Sequence, residues 1–361
     1  MSRNKSLDDF VPTMDFLIEE EKLSEGLLQL KGLISEYESW IDDTESILEK
    51  TGGNSILQRP EIKERVIEHI ENARKNATRM KEGLRLLEDD DAARTAFRLS
   101  NAAIRYSQDK ATIPEIKERI DKGIQFKWYP FQIAFQLVNI VGLCALEDED
   151  PGRDDREIID LAWFPTGGGK TEAYLGLISM TGFYRRLRFP ENELNPSTHV
   201  VMRYTLRLLT SDQADRLVRL AVGMNHIAST MGEELGVKSW DGKEFPIFRV
   251  GMWVGTNVSP RDLMAGPRGN DSSAQSSLRS LRNGDQEPGS ASVIQFELCP
   301  WCNSDSISEP NNWDVIGFKS TSSDFQWTES LNGKPNLHGR CLEKDCMLNE
   351  RIPYTCVDED I

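Results

Sequence analysis

The residue types best suited to chemistry stand at Thr166-Gly167-Gly168-Gly169-Lys170-Thr171, where three glycines run into a lysine and a hydroxyl. A nucleotide's phosphates require backbone N–H groups that converge in a turn of small residues, set at a helix N-terminus whose dipole favours negative charge. Gly167, Gly168 and Gly169 supply such a turn. Lys170 is the cation that reaches the β- and γ-phosphates, and Thr171 is the hydroxyl that ligates Mg²⁺. The apolar run Ile158-Ile159-Asp160-Leu161-Ala162-Trp163 predicts an entering strand, and Glu172-Ala173-Tyr174-Leu175-Gly176-Leu177 predicts a leaving helix. ATP with Mg²⁺ is the expected ligand of this loop.

A second chemistry lies in Cys299-Pro300-Trp301-Cys302 and Cys341-Leu342-Glu343-Lys344-Asp345-Cys346. Two close cysteine pairs suit tetrahedral Zn²⁺, because thiolates are soft ligands and intracellular redox conditions disfavour disulfides. Cys299, Cys302, Cys341 and Cys346 are therefore read as a structural zinc ribbon, with His338 as a substitute ligand and a redox pair as the alternative. Cys144 and Cys356 stand in apolar contexts and read as core thiols.

Three further segments bear on the loop. Phe164 occupies the position where the general phosphate-loop pattern has its first glycine, yet Pro165 to Thr171 resembles the Pro-Thr-Gly-x-Gly-Lys-Thr form of superfamily 2 helicases. In those motors a glutamine in an aromatic–Pro–aromatic setting contacts adenine, and Tyr129-Pro130-Phe131-Gln132 resembles that segment, with Gln132 as the reader. Arg203-Tyr204-Thr205-Leu206-Arg207 resembles the strand-to-helix turn that grips a nucleic-acid backbone, which makes Arg203, Thr205 and Arg207 candidate DNA contacts. The run Tyr354-Thr355-Cys356-Val357-Asp358-Glu359-Asp360 mimics a strand ending in Mg²⁺ and water-positioning carboxylates. A genuine motif of that kind needs a following strand and helix, so no catalytic residue is assigned to it.

The elements that must position these residues fall into zones. Residues 1–122 read as a helical domain: Leu23, Leu27, Leu28, Leu30, Leu33 and Ile34, then Ile62, Val66, Ile67, Ile70 and Ala73, recur at helical spacing. From 123 to 296, short β-rich runs alternate with helices, predicting an α/β, RecA-like lobe with a mostly parallel sheet. The stretch of about 265–292 is rich in Gly, Ser and Asn and is expected to be a flexible loop. Residues 297–350 form the zinc insertion, and 351–361 resume the lobe, which is expected to be incomplete. The chain has 361 residues, 38% hydrophobic and 28% charged, as expected of a soluble protein of more than one folding unit. Its net charge of −16 argues against non-specific coating of nucleic acid, so any DNA contact must be local and weak. No secretory signal opens the chain, and the apolar run from Leu137 to Leu146 is too short to span a bilayer; a cytoplasmic protein is expected.

Taken together, Ala96-Phe97-Arg98-Leu99-Ser100-Asn101, Trp128-Tyr129-Pro130-Phe131-Gln132, the phosphate loop, Gly251-Met252-Trp253-Val254-Gly255 and the Cys-Pro-Trp-Cys ribbon resemble the DrmA family. That family is the helicase-like component of the bacterial DISARM anti-phage system. The resemblance implies the N-terminal part of a longer ATP-dependent DNA helicase or translocase working beside a partner subunit, and not catalytically competent without a second lobe. It also implies that Val357-Asp358-Glu359-Asp360-Ile361 precedes the true Asp-Glu box. A non-motor phosphate-loop ATPase and a zinc-ribbon interaction protein remain the alternatives.

Overall fold

A computed structural model describes residues 7–50, 59–109, 126–150, 152–161, 168–189, 198–203, 207–231, 248–252, 259–260, 262–263, 273–285, 293–316 and 336–356. The chain divides into two compact units, Met1–Arg105 with Gly123–Pro190, and Tyr106–Lys122 with Glu191–Ile361.

The first unit is helical. A short α1 (Met14–Ile18) precedes the long α2 (Glu20–Lys50) and α3 (Pro60–Asp89). Then follow α4 (Asp91–Asp109), whose residues to Arg105 belong to this unit, α5 (Pro130–Cys144) and α6 (Lys170–Arg188). Pro60 and Pro130 each sit in the first turn of their helix, where a missing N–H costs no hydrogen bond. The helices bury one stripe each: Leu30 and Ile34 from α2, Leu87 from α3, Phe97 from α4, Ile133 and Leu137 from α5, and Phe183 from α6. At Gly83 of α3 a Cβ would land on the Leu137 carbonyl of α5, so only glycine permits this crossing. Fully buried Asn101 donates from Nδ2 to the Phe97 carbonyl and accepts from Trp128 Nε1 at 2.7 Å, which fixes the chain just ahead of α5. No described helix is long and apolar enough to cross a membrane.

The second unit holds α7 (Arg207–Met231), α8 (Ala274–Asn283) and four short strands. Strand β1 (Val250–Gly251) pairs in parallel with β4 (Tyr354–Thr355), and β2 (Trp313–Ile316) pairs antiparallel with β3 (Asn336–Gly339), Trp313 opposite Gly339. One core joins them: Val218 and Val222 of α7, Leu278 of α8, Phe296, Trp313 and Tyr354 are buried in a single apolar cluster that includes three of the ribbon cysteines. The Tyr354 ring meets Phe296 edge-on with centroids 4.6 Å apart.

Two expectations differ from what forms. Within 265–292, residues 274–283 are a helix. Ser273 caps it by accepting from the Ser276 N–H, Gly284 ends it at φ +77°, and Ala274, Leu278 and Leu281 are buried. The polar composition hid an apolar i, i+4, i+7 stripe. Conversely, the runs at 158–161 and 198–203 carry no strand pairing among the described residues, and Ile159 is 95% and Val201 76% exposed. A parallel strand is stable only with its faces covered and neighbours on its ladder, and among the described residues no ladder partner is present for these runs. The described residues are mostly helical with few strands, and a RecA-like sheet is not formed among them.

Candidate functional sites

Helix α6 begins at Lys170, and its N-cap is Gly169 at φ +81°, ψ 26°. That left-handed turn is open to glycine and strained for any other residue. Gly168 and Gly169 are therefore placed as a turn feeding a helix N-terminus, where backbone N–H groups have no intrahelical partner. Thr166, Gly167 and Phe164 lie outside the described residues, as do Thr205, Asp358 and Glu359. Arg203 is exposed, and Arg207 opens α7 with its side chain outside the description.

Gln132 does not face solvent. Its Oε1 accepts from the Tyr129 N–H at 2.8 Å, which satisfies a free donor at the start of α5, and its Nε2 donates to the Gly169 carbonyl at 2.7 Å. The residue is 4% exposed. Tyr129-Pro130-Phe131-Gln132 thus has a local reason to exist as a helix start, and in this state Gln132 holds the loop that precedes Lys170. Each of these bonds uses one of the amide's two donor hydrogens or two lone pairs, so contact with an adenine requires access to a side chain that is buried here. The Gln132–Gly169 bond was not legible in the sequence, because nothing in either segment encodes its distant partner.

Beside this loop lies a cavity of about 830 Å³ lined by Tyr129, Phe131, Phe135, Tyr174, Asp160 and Lys170 among others. It is mostly aromatic and aliphatic, with the Lys170 ammonium and the Asp8 and Asp160 carboxylates at its wall, a composition suited to a flat, largely apolar ligand. Asp160 is held by Arg79 of α3 through two parallel bonds, Nη1–Oδ1 at 2.7 Å and Nη2–Oδ2 at 2.8 Å. Asp155 lies 3.7 Å from the same guanidinium.

In the second unit, the Sγ atoms of Cys299, Cys302, Cys341 and Cys346 all lie within 4.8 Å of one another. Two tight turns bring them there. In the first, the Cys299 N–H donates to Ser304 and the Asn303 N–H donates back to Cys299, with Asn303 in the left-handed region at φ 59°. In the second, the Cys341 N–H donates to Leu348 and the Cys346 N–H to Glu343, while the Asn349 amide donates to the carbonyls of Cys341 and Glu343. The β2–β3 ladder lies between the turns, and Trp313 is anchored by its Nε1–H on the Ile307 carbonyl at 2.6 Å.

The Cys299–Cys346 and Cys302–Cys341 sulfurs are 3.7 and 3.6 Å apart. Tetrahedral Zn–S bonds of about 2.3 Å require sulfur–sulfur edges of about 3.8 Å, which these two edges match, and all four sulfurs lie within 4.8 Å of one another. S–H donation from Cys346 drives the Cys299 thiol down, the same shared proton drives Cys346 up, and burial pushes Cys302 to about 11. Four adjacent thiolates need a cation, and a divalent metal supplies the charge that shared protons otherwise supply. Ser306 supports the cage from outside, with Oγ 3.3 Å from Cys341 Sγ and accepting from the Leu342 N–H. Sequence reasoning had no signal for Ser306. His338 is not a member of the cage: its ring Nε2 is 3.1 Å from the Glu350 carbonyl, and burial lowers its pKa to about 4. The complete cysteine set leaves no position for it. Cys144 and Cys356 are buried, and burial raises the Cys144 thiol.

Among the described residues, fold and sites together define a mostly helical protein with few strands and a four-cysteine cluster able to hold zinc. No family model matches the chain. Among curated proteins it is similar to the DISARM protein DrmA of Bacillus paralicheniformis, with 34% identity over 258 residues, 68% of this chain and 21% of that protein. The chain is DrmA-like, as its motifs implied, and it spans about a fifth of that relative's length.

Proposed function

We propose that this chain is the nucleotide-binding portion of an ATP-dependent, superfamily 2 helicase- or translocase-like protein of DISARM anti-phage defence. The observation that carries the reading is the Gly169–Lys170 junction, a left-handed glycine leading directly into the N-terminus of a long helix whose lysine borders a cavity. ATP with Mg²⁺ brings the phosphoanhydride chemistry. Gly167 to Gly169 offer N–H groups to its phosphates, Lys170 pairs with the outer phosphates, Thr171 holds the metal, and Gln132 braces the loop or, once released, reads the base. Arg203, Thr205 and Arg207 grip the DNA backbone, and a partner subunit of the defence system completes the machine.

The architecture is supported by the β1–β4 pairing. Parallel neighbours require a long crossover between them. Here the crossover contains the whole cysteine ribbon, as expected if residues 297–350 are an insertion and 351–361 resume the interrupted lobe. This reading is tested by thermal unfolding with and without ATP and Mg²⁺. Ligand at a hundredfold over its Kd stabilises by about 2.7 kcal/mol, so the first unit's transition is expected to rise by several degrees. An unchanged transition at millimolar ATP and GTP contradicts the reading.

A further inference from the structure

Resting on that nucleotide-binding reading, we propose that Arg79 is a positioning residue of the phosphate loop, through which α3 of the helical region sets the loop's incoming end. Three observations carry it. The Arg79–Asp160 pair is bidentate, and its side chains are only 12% and 19% exposed, so it is weakly screened and geometrically strict. Asp160 belongs to the run that enters the loop, and that run has no ladder among the described residues and little burial of its own, with Ile159 95% and Leu161 83% exposed. The ion pair is therefore a principal anchor of this run. Finally, Asp160 and Leu161 line the same cavity as Lys170, alongside Asn76 and Met80, which flank Arg79 on α3. The outgoing end of the loop is held separately by Gln132 on Gly169. Guanidinium and amide thus hold the described residues on either side of the phosphate loop, Asp160 before it and Gly169 at its end, and on the proposed reading α3 acts on the loop through Asp160.

The test compares Arg79→Gln, Asp160→Asn and Asp155→Asn in the full chain, well below the melting temperature. Two readouts are used: titration with a fluorescent ATP analogue and Mg²⁺, with tripolyphosphate as competitor, and hydrogen exchange over residues 158–170. Arg79→Gln and Asp160→Asn are expected to weaken ATP and tripolyphosphate alike, by about tenfold, and to speed exchange, because a displaced loop misplaces its phosphate donors whatever the base. Asp155→Asn removes a carboxylate from the same guanidinium but lies outside the entering run, and is expected to change affinity by less than about twofold. The double variant Arg79→Gln/Asp160→Asn, whose neutral amides can still hydrogen-bond, is expected to recover most of the loss. If Arg79→Gln does not fold, Asp160→Asn carries the comparison. Folded variants with wild-type exchange overturn the positioning role even if nucleotide binds; a wild-type chain that binds no nucleotide, with exchange still sensitive to Asp160→Asn, overturns the function and leaves the anchoring intact.

Discussion

Gly169 shows how one residue type serves backbone and site together. Its φ of +81° costs an L-residue energy, and a Cβ there would stand 2.7 Å from Gln132 Nε2. Gly169→Ala is expected to destabilise the first unit by on the order of 2 kcal/mol, from left-handed strain plus the displaced Gln132 bond, read by urea denaturation; an unchanged midpoint contradicts the conformation. His338 gives a pH prediction with a defined sign. Its folded pKa of about 4 lies below the usual 6.5, so the neutral ring's contribution is fully present above pH 6.5 and is lost as pH falls towards 4, where the unfolded chain binds the proton first. After allowance for solvent screening the loss is about 1–2 kcal/mol. His338→Gln is expected to flatten that part of the pH–stability curve relative to wild type, and equal slopes in the two proteins contradict it.

At the scale of elements, the cysteine module is the clearest case of a short pattern specifying a tertiary arrangement. Two close pairs were legible because each pair closes its own turn, whereas Ser306 and the β2–β3 ladder that hold the pairs together were not, since their partners lie far along the chain. The same limit applies to β1 and β4, which find each other across the whole insertion. Helix α8 was hidden by its serines, and the runs around Ile159 and Val201 read as strands because apolar composition does not say whether a ladder is present to receive them. The cage is expected to hold one zinc ion per chain. Structural zinc contributes about 10 kcal/mol or more to small modules, so Cys346→Ser or a strong chelator should unfold the ribbon while the first unit's helical signal persists. Elemental analysis finding no zinc in chelator-free protein contradicts the site.

Across the whole molecule, the helical region and the phosphate-loop helix belong to one compact unit, and the ribbon shares a core with α7 and the parallel strand pair. The helical region is thus part of the proposed nucleotide site's own scaffold, and Arg79 and Asp160 are where that relation becomes chemical. The net charge of −16 sets an acidic chain against a nucleic-acid backbone, which makes nucleotide binding, not DNA binding, the property on which the account stands. Its most direct test is titration of the wild-type chain and Lys170→Ala with a fluorescent ATP analogue in the presence of Mg²⁺. Saturable binding by the wild type, weakened by about tenfold or more in Lys170→Ala with an unchanged melting transition, is the expected result, because the ammonium is directed at the phosphates and not at the core. Equal affinity of the two proteins, or no binding by either, contradicts the account.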